Sequence, residues 1–335
     1  MTATAAEDTE RKPGRRVPNR WWHRPAVGIL RLAIRTLGAL PAPISYGIAD
    51  LLAVPVAAYW SATDRSGKRQ KGYWRNVRIA FRPGGLGIAR PRRHLWRWAR
   101  HMTWLAVDFC RMHRLRPETI GRYVDLTEVP RLQQIFAEGK GILWATAHIG
   151  VWDVAGYVSG LVGMPITSVF RPSGIQPLDD LVSSLRTGTG QTVVAKWNVV
   201  GTLKQVLKRG ETVGLLVDSA GNHGTAYPPF LGTRAAMVGT PAILHLATGA
   251  PIVVIVAHRT GRFRFRLRVL DVIQLAPTDD RDADVAAILD RVSRGLTEAV
   301  REAPEQWFWQ SRRYKHRPPQ EIAGPDGLPP TAGES

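Results

Sequence analysis

From about residue 117 onward, short apolar runs alternate with stretches of helical periodicity, and this alternation restricts the fold more than any other feature of the chain. Runs at 141–147, 164–170, 191–195, 212–218, 251–257 and 264–272 have the length and apolar content of strands. Between them, 151–161, 177–187, 197–209, 234–248 and 283–302 read as helices, with Ile288, Leu289, Val292, Leu296 and Val300 as the clearest stripe. Gly210 suits a C-cap after Lys204–Arg209. Strands and helices that alternate in this way predict an α/β fold whose largely parallel central sheet is covered by helices. At 335 residues the chain can bury one sizeable core of this kind together with an N-terminal appendage.

The run 141–147 reads as a buried parallel strand, and Gly150 permits a sharp exit into the next helix. His148 lies between them, at the carboxyl end of a strand, where open α/β sheets place their ligands. Asp153 follows five positions later, at the start of a helix. An imidazole held by a carboxylate can remove a proton from a hydroxyl and make it a nucleophile. A second carboxylate competes for that position. Asp218 ends the apolar strand, so a parallel sheet brings it out on the same edge as His148. Asp153, the residue of the His-x4-Asp pattern, is placed slightly ahead, although from a helix N-terminus it could instead cap the helix or meet Arg171.

Cysteine and motif content exclude several chemistries. Cys110 stands alone in an apolar context, which leaves no disulfide framework and no thiolate metal site. The nine His residues show no HExxH pairing, and no P-loop, GxGxxG or GxSxG is present. No metal and no permanently bound cofactor is expected.

Charge is distributed unevenly. The net charge is +19, yet residues 1–116 hold 23 Lys and Arg against 6 Asp and Glu, while 117–335 are close to neutral. The basic third also holds seven of the twelve Trp: Trp21, Trp22, Trp60, Trp74, Trp96, Trp98 and Trp104. Trp beside Lys and Arg is the composition of a membrane interface, and each basic residue near an anionic surface contributes about 1 kcal/mol. The stretch 26–40 carries Arg31 and Arg35 on one helical face and reads as interfacial. The stretch 43–60 approaches the length of a span, but Asp50 and Pro55 make a simple lipid-exposed helix costly; both stretches also fit helices packed on the body. From Pro91 to Arg116, Leu95, Trp98, Met102, Leu105, Phe109 and Met112 form an amphipathic stripe that suits either a core or a lipid-facing helix. A nucleic-acid partner is disfavoured, because the charge is confined to the Trp-rich third and no nucleic-acid motif occurs. The charged, Pro-containing leader does not resemble a cleaved signal, so the body is expected on the cytoplasmic side. The organisation expected is a disordered leader at 1–18, a basic helical membrane-associating region at 19–116, an α/β body at 117–318 and a disordered tail at 319–335.

Five blocks occur in the order found in one enzyme branch. They are Leu143–Asp153; Ser168–Pro172 with Pro177-Leu178-Asp179; Leu215–Asp218 with Pro229-Phe230-Leu231-Gly232; Ala235–Pro241 with Ala247–Pro251; and Pro304–Pro318. Together they resemble the lipid A and phosphatidylinositol mannoside acyltransferase branch of the glycerolipid acyltransferase superfamily, over roughly residues 40–318. The resemblance implies transfer of a fatty acyl chain from a thioester, acyl-CoA or acyl carrier protein, to a hydroxyl of a mannoside- or lipid A-type glycolipid. His148 would act as general base, with no covalent acyl-enzyme. It implies that Arg171 contacts a phosphate or headgroup, a role for which a guanidinium fork is suited; pairing with Asp179 or Asp180 is the structural alternative. Arg186 falls near a second family arginine. Backbone N–H groups near Gly150 or Gly232 are candidate oxyanion donors, and Gly232 is expected to line the substrate site. Arg312, Arg313 and Lys315 suit either acidic groups of a substrate or anchoring of the C-terminal segment. Gln310-Ser311 departs from the Leu-His common in the branch, and Asn76 lies in a recurrent block with no assigned role. Within this frame lysophospholipid acylation is the second activity and an idle membrane scaffold the third reading. The expected location is the cytoplasmic face of the plasma membrane, peripheral or monotopic, in contact with anionic lipid.

Overall fold

The computed structural model describes residues 20–65, 72–187, 190–219, 226–319, 321–323 and 328–332. The predicted leader lies outside the described residues, as does part of the predicted tail; within the tail, Arg82 donates to the Pro329 carbonyl at 2.7 Å.

The elements in chain order are α1 (His23–Ala39), α2 (Ala42–Arg65), α3 (Tyr73–Ala80), α4 (Pro91–Arg111), β1 (Val124–Asp125), α5 (Val129–Ala137), β2 (Ile142–Thr146), α6 (Trp152–Leu161), β3 (Ile166–Phe170), α7 (Gln176–Thr187), β4 (Gln191–Ala195), α8 (Val200–Lys208), β5 (Thr212–Leu216), β6 (Pro229–Phe230), β7 (Thr233–Arg234), α9 (Thr240–Thr248), β8 (Ile252–Gly261), β9 (Arg264–Ile273) and α10 (Arg281–Glu302). Among the described residues the central sheet has seven strands in the order β1-β9-β8-β2-β5-β3-β4. Strands β8, β2, β5, β3 and β4 run parallel, whereas β9 returns antiparallel to β8. The alternation in the sequence therefore produces the α/β architecture it predicts, with one antiparallel hairpin toward the edge.

Successive residues of β2 feed two cores. Leu143 and Ala145 pack among α9 and α10 on one face, and Ile142 and Trp144 pack beneath α6 on the other. Such a strand has no polar face, which is why it reads as a continuous apolar run. Helix 234–248 of the sequence reading begins later. Thr233–Arg234 form a short hairpin with β6, and Met237 N–H donates to the Ala226 carbonyl at 2.9 Å, so the chain stays extended until Gly239 and Pro241 start α9.

The N-terminal third is divided between core and surface. Trp74 and Trp98 are buried with Tyr73 in the main core, while Trp21, Trp22 and Trp96 are exposed. Helix α2 lies along α4. Asp50, the acid in the middle of its apolar stretch, accepts from Arg100 Nε and from Trp104 Nε1, each at 2.7 Å. Its other face exposes Ile44, Leu51, Leu52, Val54 and Tyr59. By length and composition Ala42–Thr63 is long and apolar enough to cross a membrane. Asn76 receives a role: its amide donates to the carbonyls of Trp309 and Ser311, at 2.7 Å each, and ties α3 to the C-terminal segment.

Candidate active site

The sheet register decides which carboxylate meets His148. Thr146 on β2 is aligned with Leu216 on β5, and His148 and Asp218 each lie two residues farther along their strands. They emerge side by side. His148 Nδ1 lies 2.7 Å from one Asp218 oxygen, and the His148 backbone N–H donates to the other at 3.0 Å. The same carboxylate accepts from the indole of Trp307 at 2.9 Å. A carboxylate only accepts, so Nδ1 carries the hydrogen and Nε2 of the neutral ring holds the lone pair. The Asp218 side chain is 1 % exposed and that of His148 26 %, which leaves the ring edge open.

Burial acts against the charged form of both groups, but their mutual interaction is stronger. The charge and hydrogen bond of Asp218, with a smaller contribution from Asp153, hold the His148 pKa above its ordinary value. Burial would raise Asp218, yet His148, the Trp307 indole and buried Arg313 together hold its carboxyl below the usual range. This is the pattern of a base poised by a fixed anion.

Asp153, placed slightly ahead from the sequence, is engaged elsewhere. It opens α6, and its carboxylate accepts from Arg186 Nε of α7 at 2.8 Å. Arg171 directly follows β3, is exposed, and makes no hydrogen bond or ion pair among the described residues. Its structural alternatives are occupied: Asp179 accepts from the Ser173 and Gly174 backbone N–H groups, and Asp180 from the Gln176 amide.

The two glycines considered as oxyanion donors have other tasks. Gly150 has a φ of 62°, and a Cβ there would lie 2.0 Å from the Ala257 carbonyl oxygen, so no other residue fits. Its N–H is committed to the Gln306 carbonyl at 2.9 Å. Gly232 packs against Gly84 and lines a separate cavity with Thr297 and Arg301.

The loop after β2 is held from both sides. Val151 N–H donates to the Ala257 carbonyl of β8 at 2.8 Å, and Phe308 N–H to the His148 carbonyl at 2.9 Å. The His148 ring stands between Trp152 and Phe308, with centroid separations of 5.1 and 5.7 Å. The sequence alone does not mark Trp307 and Phe308 as site residues, although they belong to the C-terminal block; the aromatic cluster 307–309 beside Arg312 and Arg313 is the signal it offers.

Two cavities share Trp152, which packs on this ring, and Asp153 in their walls. The outer one, about 380 Å³, is a groove lined by Met102, Leu105 and Phe109 of α4 with Val151 and Phe308. Along the α4 stripe, Leu95 and Trp98 are buried in the core, while Met102, Leu105 and Phe109 line the groove. The inner one, about 50 Å³, lies under α6 against β2, β5 and β3.

Residues 11–316 match the family described as bacterial lipid A biosynthesis acyltransferases. The chain belongs to this family. It is 24% identical over 202 residues to the lipid A biosynthesis palmitoleoyltransferase of Escherichia coli K12, covering 59% of this chain and 64% of that protein. The E. coli lipid A biosynthesis lauroyltransferase is 25% identical over 202 residues with the same coverage. A lipid A biosynthesis acyltransferase of Haemophilus influenzae is 24% identical over 180 residues, 53% of this chain and 55% of that protein. The chain thus spans a little under two thirds of the length of the curated relatives it matches.

Proposed function

We propose that this family member is a membrane-associated O-acyltransferase that moves a fatty acyl chain from a thioester donor to a hydroxyl of a glycolipid acceptor, with His148 as general base. The observation that carries the reading is the His148–Asp218 pair at adjoining strand ends, its free Nε2 edge beside an apolar groove. A hydroxyl ionises far above neutral pH and attacks a thioester slowly. Removal of its proton during attack contributes typically ~10² to 10⁴-fold. Asp218 fixes the ring and stabilises the imidazolium that forms, and the hydroxyl oxygen then bonds to the acyl carbon while the thiolate leaves. The proton taken up by His148 is available to the departing sulfur, so the cycle balances without an acyl-enzyme. Arg171, exposed at the end of β3, is the cation available to a phosphate of the acceptor.

Family membership favours a lipid A-type acceptor, with a mannoside-type glycolipid as the other acceptor of this reading; lysophospholipid acylation is the second reading. The donor is acyl-CoA or acyl carrier protein. The exposed apolar residues of α2 and the basic charge of the N-terminal third support attachment to anionic lipid, in keeping with the cytoplasmic face of the plasma membrane.

The test is mass spectrometry of membranes incubated with the protein and a thioester donor. A glycolipid heavier by one acyl chain is expected with the unaltered protein and absent with His148→Ala. If a folded His148→Ala protein keeps more than about a tenth of the rate, His148 is not the base. A product confined to lysophospholipids would select the second reading.

A further inference from the structure

Among the described residues, Arg313 carries a charge that no carboxylate meets directly. It lies between exposed Arg312 and Lys315, yet its own side chain is fully buried. One terminal N–H donates to the Ala236 carbonyl, while Nε and the other terminal nitrogen have no hydrogen-bond partner. A guanidinium stays protonated and only donates, so burial of this kind is unfavourable unless an anion lies near enough to offset it. A stack of buried side chains leads to one. The guanidinium lies over the Phe230 ring, 4.7 Å from its centroid, and Phe230 packs on Trp307 with 5.2 Å between centroids. Trp307 in turn donates its indole N–H to Asp218, the acid that holds His148. The hairpin of β6 and β7 forms the cradle: the Phe230 carbonyl accepts from the Tyr314 hydroxyl at 3.0 Å, and the Pro229 carbonyl from Ser293 at 2.6 Å. Two sequence blocks, Pro229–Gly232 and Pro304–Pro318, thus meet around this cation.

The other charges that face the pair are largely cancelled. Asp153 of α6 is matched by Arg186 of α7, and Arg317, which faces Arg313, is matched by Glu321. Arg82, after α3, acts on Tyr314. When the His148 ring is neutral, the form in which it is a base, Asp218 is a buried anion. It then receives three N–H donors, two from His148 and one from Trp307, and no direct cation. Arg313 and Asp218 each favour the charged form of the other.

We propose that Arg313 is a positioning residue of the base: its buried charge holds Asp218 as an anion while the His148 ring is neutral. The inference rests on the acyl-transfer reading given above. A protonated His148 neutralises Asp218 by itself, so a second cation nearby favours the neutral ring over the imidazolium. Without that cation the pair keeps its proton to higher pH. Loss of the Asp218 charge has the opposite effect, because it removes the anion that stabilises the imidazolium.

The experiment uses Arg313→Met, which keeps an apolar stem and removes the charge. The acid limb of activity should move up by about one pH unit, so that rates well below the limb fall about tenfold while the plateau above it is retained. The ring-nitrogen titration of His148, followed by NMR and identified by its absence in His148→Ala, should move with it in the absence of substrate. A titration that stays in place overturns the proposal and leaves Arg313 as an anchor of the C-terminal segment. A second arm compares melting temperatures in a double-mutant cycle. Arg313→Met should cost much less in an Asp218→Asn background, where no anion is left uncompensated, whereas an anchor costs the same in both. If Arg313→Met alone does not fold, the double variant decides: recovery of folding sustains the proposal, and failure to recover overturns it. A titration that moves as expected, in a protein that transfers no acyl group from any thioester donor, would remove the acyl-transfer reading and sustain the charge coupling.

Discussion

His148 has two ring nitrogens, and the structure commits one of them to Asp218, which makes the two acids of the site separable by experiment. Asp218→Asn should lower the rate by orders of magnitude, because an amide can stabilise the wrong tautomer. Asp153→Asn should mainly loosen Arg186 and act on stability or substrate affinity. Stopped assays of both variants, each with its melting temperature, distinguish these outcomes, and equal rate losses would contradict the assignment. A pH profile follows from the same geometry. A base works when neutral, so activity should rise with pH through the elevated pKa of His148. Without the Asp218 charge that pKa falls, and the acid limb of the residual activity should move to lower pH. The proximity of His148 and Asp218 was legible in the sequence, since both end apolar strand runs. That Asp153 turns to Arg186 was not, because the direction of a side chain at a helix start depends on α7, which is packed beside it. Nor was the Trp307 indole, which reaches Asp218 across 89 residues of chain.

At the scale of elements, most strands and helices followed from periodicity, and the deviations have local causes. Ala235 to Val238 is apolar enough to extend a helix but is drawn into the hairpin by a backbone bond to Ala226. The junction between the N-terminal helices and the sheet was the least legible part. Asp108 of α4 is fully buried, and Tyr46 of α2 and Arg259 of β8 both donate to it, the latter through Nε at 2.7 Å. Opposite charges so far apart in sequence give no periodic signal. Arg259→Ala leaves the Asp108 carboxyl buried without its cation and should cost about 3–5 kcal/mol, read by chemical denaturation. Asp50 and Arg100 are partly exposed, so Arg100→Ala should cost no more than about 1 kcal/mol by the same measurement. A loss for Arg259→Ala no greater than for Arg100→Ala would mean that the buried pair does not hold α4 to the sheet. Gly150→Ala should be worse tolerated than either, since its Cβ has no space beside Ala257.

For the molecule as a whole, charge and apolar surface coincide. The N-terminal third carries nearly all of the net positive charge, and α1 and α2 expose Ile29, Leu32, Ile44, Leu51 and Leu52. Sedimentation with anionic vesicles should therefore be weakened by salt and only partly reversed by it, because the charge contribution is screened and the apolar one is not. Deletion of residues 20–65 should release the protein or render it insoluble, and full recovery of the intact chain in the supernatant at low salt would contradict this assignment. The sequence separated the basic third from the neutral body, but could not show that Trp74 and Trp98 of that third are core residues packed with Tyr73.

The segment Gln306–Phe308, which clamps the His148 loop and donates to Asp218, has a temporal meaning. Strands β2 and β5 leave the ribosome long before it does, so the base and its acid can be adjacent while the wall that fixes them is still unsynthesised. A nascent chain halted before residue 304 would hold the sheet but lack the clamp and should be inactive. On the proposed reading, competence for catalysis then waits until residues 306–308 have been made, after the amino-terminal helices have had time to find a surface.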